Sequence, residues 1–147
     1  MGRERRGKEE VTPLLLDTNA AIWITQDSKL ADSAVKALDQ ADDEGVAVLV
    51  SPITAWEVGL LVARGRIALP TNPDTWFQRL LEAPNIRLAE MPAKILIASS
   101  FLPNLTVKDP ADRILVATAR EFGFALITRD RALLDYAEAG HLKAIAC

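Results

Sequence analysis

Apolar runs of strand length alternate along this chain with longer segments whose apolar residues recur at helical spacing. "LLL" at 14–16, "VAVLV" at 46–50 and "FALIT" at 124–128 are the clearest strand candidates; "IRLAE" at 86–90 is a weaker one and "KAIA" at 143–146 a last short one. Strands separated by helices of this length require βαβ crossovers, and such crossovers build a parallel sheet with helices on both faces. The expected fold class is therefore α/β: a doubly wound three-layer α/β/α sandwich with a mostly parallel central sheet.

The helical segments carry their own punctuation. The 28–45 segment places Leu30, Ala34, Ala37, Leu38 and Ala41 on one face, starts at Ser28 as the expected cap and stops at Gly45. Pro52 stands in the first turn of the next helix and Gly65 beyond its last. Asn72 followed by Pro73 opens a third, and Asp109 followed by Pro110 opens "PADRILVATAREFG". Further helices are expected over "TNAAIW", "PAKILIASSFL" and "RDRALLDYAEAG", with Trp23, Trp76 and Phe77 read as core residues.

At 147 residues, half of them hydrophobic, the chain suffices for one domain with a sizeable core. Residues 1–10 read as a flexible extension and 11–147 as the domain. No apolar run has membrane length and no signal peptide opens the chain, so a cytoplasmic protein without a membrane partner is expected. Cys147, the single cysteine, excludes a disulfide framework and reads as an incidental tail residue. His141, the single histidine, reads as a solvated loop residue, which leaves no Ser/His or Cys/His pair, and there is no Gly-rich phosphate loop. The net charge of −3 argues against a nucleic-acid binder, yet setting four carboxylates aside as metal ligands leaves +1 for the rest.

In a doubly wound sheet the functional crevice lies beyond the carboxyl ends of the strands. Asp17 directly follows the first strand and Asp130 comes two residues after "FALIT"; Glu57 lies early in the helix after "VAVLV", and Asp112 in the first turn of its own helix. Four carboxylates from four segments are thus expected at one edge. Asp17 and Asp130 have a second reading, as helix caps. Asp109 reads as a cap that accepts from the N–H of Asp112, which leaves Asp112 free for another role.

Glu57 stands beside Trp56 and close to the apolar stripe of Ile53, Leu60 and Leu61, with no basic residue one turn before it and Arg64 two turns on. A carboxylate so placed has to be neutral, paired or bound to a cation. Clustered carboxylates repel and their pKa values rise, a conflict that a divalent cation removes. Oxygen donors without a His or Cys cluster suit Mg²⁺, or Mn²⁺, rather than zinc.

"LLLDTNAAIW", "VSPITAWEV", "KDPADRILVATA" and "LITRD" follow in the order, and at about the spacing, of PIN-domain nucleases. From Leu14 to the C-terminus the chain resembles these enzymes, and in particular the VapC-type toxins of toxin-antitoxin modules. It departs from them at "LTVK", where many relatives carry a histidine that is not a metal ligand. The resemblance implies a PIN-like fold and an Mg²⁺-dependent endoribonuclease whose acidic quartet is Asp17, Glu57, Asp112 and Asp130. Asn19, Ser51 and Thr128 would orient the site, and Arg113 would contact phosphate or, as favoured here, pair with a neighbouring carboxylate. It also implies an RNA substrate, a cognate antitoxin and a homodimer.

Two other readings stand beside this one. A phosphorelay receiver domain also has an acidic Mg²⁺ pocket, but needs an acidic pair where "LLLDTN" has one Asp. A non-catalytic PIN-like module that binds RNA or protein would be favoured by loss of an acid, and all four are present. The basic side chains available to RNA include Arg64, Arg66, Arg79, Arg87 and Lys108, each by default a solvated residue.

Overall fold

The computed structural model describes residues 12–147; the extension expected over 1–10 lies outside the described residues. Five strands are present: β1 (Leu14–Leu16), β2 (Val48–Val50), β3 (Ile86–Leu88), β4 (Ala125–Thr128) and β5 (Lys143–Ala146). Among the described residues seven helices connect or flank them: α1 (Thr18–Thr25), α2 (Asp32–Glu44), α3 (Pro52–Ala63), α4 (Pro73–Glu82), α5 (Ala93–Ala98), α6 (Pro110–Phe122) and α7 (Arg131–Glu138). None of the described helices is long and apolar enough to cross a membrane.

The strands form one sheet in the order β3-β2-β1-β4-β5, parallel throughout rather than mostly so. Leu14 and Leu16 of β1 pair with Val48 and Val50 on one side and with Ala125 and Ile127 on the other. Because side chains alternate across a sheet, Leu14 and Leu16 enter the core formed with α1, α2 and α4, whereas Leu15 and Leu126 enter the opposite core with α5, α6 and α7. Both faces are covered, so the apolar runs need not alternate. From β1 the chain proceeds outward to β2 and β3, then returns to place β4 on the other side of β1. The connections reverse direction between β1 and β4, which puts the crevice of the sheet at their carboxyl ends.

The local signals act largely as expected. Asn72 accepts from Thr75 N–H at 2.8 Å and Asp109 from Ala111 N–H at 2.8 Å, each ahead of a proline in the first helical turn. Gly45 closes α2 at φ +67°, a left-handed conformation that suits a residue without Cβ. Trp76 is buried, and Trp23 and Phe77 pack against the same core.

Three expectations are corrected. Ser28 does not cap α2: the helix starts at Asp32 after Ala31, whose N–H donates instead to the Cys147 oxygen at 3.2 Å, so tertiary contact sets the boundary. Cys147 is not an incidental tail residue; it is buried, and its N–H continues the β4 ladder to the Thr128 oxygen at 3.0 Å. His141 is half-buried and stacked on Tyr136 at 4.7 Å between ring centroids, because its own N–H is held by the Tyr136 carbonyl.

Candidate active site at the carboxyl edge of the sheet

Asp17 emerges from the end of β1 and is buried to 7% exposure. Its N–H donates to the Ile127 oxygen at 3.1 Å, tying it to β4, and its carboxylate accepts from Ala20 N–H at 2.7 Å as the cap of α1. On the neighbouring strand, Thr128 is fully buried; its hydroxyl hydrogen-bonds the Asp17 carboxylate and accepts from Asp130 N–H at 3.1 Å. Asp130 in turn caps α7 through Leu133 N–H at 3.2 Å. The cap reading and the site reading of these two aspartates are compatible, since each cap bond uses one oxygen and leaves the other available.

Glu57 reaches the edge from the second turn of α3. Its partner is the Thr18 hydroxyl, which also lies 3.3 Å from the hydroxyl of buried Thr54. Asp112 stands in the first turn of α6, where Asp109 makes the capping bonds to Ala111 and Asp112 N–H.

The four carboxylates share one electrostatic environment. Burial raises the pKa of Asp17, and the charge of Asp130 adds to it, while Thr128, Ala20 N–H and the Arg129 guanidinium oppose the rise. Burial likewise raises Glu57, against the Thr18 bond, with Asp109 and Asp17 contributing repulsion. Asp112 goes furthest, to about 7, through burial and then the charges of Asp109, Glu57, Asp130 and Asp17. The ion pairs among the described residues, Lys94–Glu121 and Arg131–Asp135, involve none of these groups. Among the described residues no three carboxylates are drawn together as a finished coordination set. Side chains that repel one another stay apart, and their donor chemistry fits a hard divalent cation that would draw them in.

The supporting residues divide. Thr128 touches the site directly. Ser51 is buried and caps α3 through Ile53 N–H at 3.0 Å. Asn19 is exposed and its side chain has no hydrogen bond among the described residues; its neighbour Thr18 holds Glu57 instead. The expectation for Arg113 is corrected: it pairs with no carboxylate among the described residues. Its guanidinium donates to the backbone oxygens of Ser99 at 2.8 Å, Leu105 at 3.3 Å and Val107 at 2.7 Å. The connection between α5 and α6 presents those carbonyls to it, so it clamps that segment. Sequence reasoning also missed Arg129, whose guanidinium lies 3.8 Å over the Trp23 ring, donates to the Cys147 oxygen at 2.8 Å and acts on Asp17. Its place between Thr128 and Asp130 was the only available signal.

The family model described as PIN domain matches residues 14–139. The chain is 33% identical over 127 residues to Ribonuclease VapC22 of Mycobacterium tuberculosis, which covers 86% of this chain and 93% of that protein. Among solved structures it is similar to VapBC2 from Rickettsia felis bound to a DNA fragment from their promoter, with a TM-score of 0.64, 15% identity and coverage of 90% of this chain and 97% of that one. It is also similar to FitAcB from Neisseria gonorrhoeae, with a TM-score of 0.53, 23% identity and coverage of 89% and 95%. At these identities the two structural likenesses concern the fold.

Proposed function

The chain belongs to the PIN-domain family, and from that premise we propose that it is a VapC-type, metal-dependent endoribonuclease that acts as the toxin of a toxin-antitoxin pair. The observation that carries this reading is that Asp17, Glu57, Asp112 and Asp130 come from four separate segments to the switch point of the sheet, where burial first, and then the charges of Asp109, Glu57, Asp130 and Asp17, raise the Asp112 pKa to about 7. The likeness to a protein named as a ribonuclease supports the reaction class.

Asp17, Glu57, Asp112 and Asp130 would hold Mg²⁺, or Mn²⁺. When bound, the cation supplies activation of the attacking water and charge neutralisation at the scissile phosphate. The chain's own part is to orient the carboxylates and, through hydrogen bonds to Asp17 and Glu57, to oppose the burial that disfavours their ionised form. Thr128 positions Asp17 through its hydroxyl and Asp130 through its N–H bond, and Thr18 positions Glu57. No nucleophilic side chain is needed for hydrolysis by water. A cognate antitoxin would silence the site by placing a basic side chain among the four carboxylates, an electrostatic match to the same field. We extend the proposal to a cytoplasmic homodimer.

The test is cleavage of total cellular RNA by the purified protein with Mg²⁺ or Mn²⁺, with EDTA, and by Asp17→Asn in parallel. Asparagine retains a cap acceptor for Ala20 N–H, so this variant should stay folded. Discrete fragments that vanish in both controls are expected. No cleavage by folded, partner-free protein under either metal would leave a non-catalytic binding module.

A further inference from the structure

A cavity of about 410 Å³ opens beside the acidic centre, lined by Trp56, Glu57, Arg64, Arg66 and Asp109 among others. A larger one of about 550 Å³, between α7 and β5, includes none of the four carboxylates. Glu57 lines the smaller cavity and is one of the four carboxylates, and Asp109, which caps the helix that carries Asp112, lines it too, so the cavity adjoins the acidic centre.

Trp56 is 53% exposed, and its indole makes no ring contact or hydrogen bond among the described residues. It is nonetheless firmly placed. It sits on α3 between the buried Thr54 and Val58, which anchor that helix to the core. Arg64 and Arg66 follow at the end of the same helix, both exposed, with their backbones fixed by N–H bonds to Leu60 at 3.0 Å and Leu61 at 2.8 Å. A flat aromatic face and two guanidiniums on a rigid element, next to a centre suited to phosphodiester chemistry, match a ligand with a planar base on an anionic backbone.

We propose that this cavity is a subsite for one unpaired nucleotide flanking the scissile phosphate, with its base stacked on Trp56 and its phosphate on Arg64 and Arg66. The inference rests on the nuclease reading and deepens it by assigning the residues that hold the nucleotide beside the cleaved bond. In a duplex the base faces are stacked within the helix, whereas unpaired bases are free to stack on aromatic side chains. The two arginines also place positive charge beside carboxylates that would otherwise repel the RNA backbone.

The experiment measures binding of a dye-labelled ten-nucleotide single-stranded oligoadenylate, and of a blunt RNA duplex, to the Asp17→Asn protein, with Trp56→Ala, Trp56→Phe and the Arg64→Gln/Arg66→Gln pair added to it. Trp56→Ala should weaken single-strand binding by roughly 5- to 150-fold, the range of one lost base stack, while Trp56→Phe restores most of it. The double arginine variant should lower the slope of log affinity against log salt by about 0.7, the contribution of one single-strand phosphate contact. Thermal melting should not change, since Trp56 lies outside both cores. Single-strand affinity in Trp56→Ala within twofold of its parent, or no preference for single strand over duplex, would overturn the subsite.

The two readings fail separately. A wild-type protein that cuts no RNA with either metal removes the nuclease, and with it the scissile phosphate that the nucleotide is said to flank. A Trp56→Ala protein that still cuts, with unchanged affinity, removes the subsite alone. Loss of a bound protein partner in Trp56→Ala with RNA affinity unchanged would assign the cavity to protein and likewise overturn the proposal.

Discussion

The hydroxyl of Thr18 donates to the carboxylate of Glu57, joining the first residue of α1 to the second turn of α3. This bond favours the ionised carboxylate and opposes the burial that raises its pKa. Thr18→Val should therefore weaken divalent-cation affinity by roughly tenfold or more, as loss of such an orienting partner generally does. The buried Thr54 hydroxyl also loses a neighbour, at a cost of about 1 kcal/mol. A metal titration of the cleavage rate decides the matter: an unchanged requirement would reduce the bond to packing.

Arg113 follows the third acid in sequence but is engaged by three backbone oxygens. Its removal is expected to act on stability. Arg113→Ala should lower the unfolding free energy by about 2–3 kcal/mol, since hydrogen bonds from a charged donor are lost and carbonyls are left without partners. Arg113→Lys should recover only part, because an ammonium lacks the planar fork. Urea unfolding is the measurement, and full stability combined with lost activity would return Arg113 to a phosphate contact.

The metal-free protein should lose stability as pH rises between about 4 and 7. Asp112 has an ordinary pKa of 3.8 in the open chain and about 7 in the fold, so within that window the folded state holds a proton that the unfolded state has released. Stability then falls with rising pH, being fullest below 3.8 and lost through about 7. Asp17 and Glu57, also raised, act in the same direction. Added Mg²⁺ should consequently raise the melting temperature more at pH 8 than at pH 5, and Asp112→Asn should flatten the metal-free profile. A metal-free melting temperature that climbs across this window would contradict the coupling.

Asp130 caps α7 and is proposed as a member of the acidic quartet, and two substitutions separate these roles. Asp130→Asn keeps an acceptor for Leu133 N–H, so stability should hold to within about 0.5 kcal/mol while cleavage is lost. Asp130→Ala should lose cleavage as well and cost about 1 kcal/mol more in stability. Paired chemical denaturation and cleavage assays would show both effects. Wild-type cleavage by the asparagine variant would leave Asp130 as a cap only.

Much of this protein was legible from the chain alone. The α/β class follows from apolar runs too short and too continuous for anything but strands covered on both faces, as Leu14, Leu15 and Leu16 are. Asn72 and Asp109 as caps and Gly45 as a stop depend on atoms a few residues apart, so sequence neighbours suffice to predict them. The approach of Asp17 and Asp130 to one edge was also legible, because parallel strands share a carboxyl end.

Tertiary structure alone decided the rest. Whether Thr18 or Asn19 would orient the site depended on α3 passing beside α1, a contact across 39 positions. Arg113 found carbonyls rather than carboxylates because the preceding connection folds back over α6. Ala31, not Ser28, precedes α2, and Cys147 is core rather than tail, because the end of β5 pairs beside β4 and accepts from Ala31. Periodicity is local and therefore written in the sequence, as is capping wherever no distant segment competes for the helix start, as Cys147 does at Ala31. A polar side chain takes whichever partner the packed layers bring within about 3 Å, and that choice is made only when the fold closes.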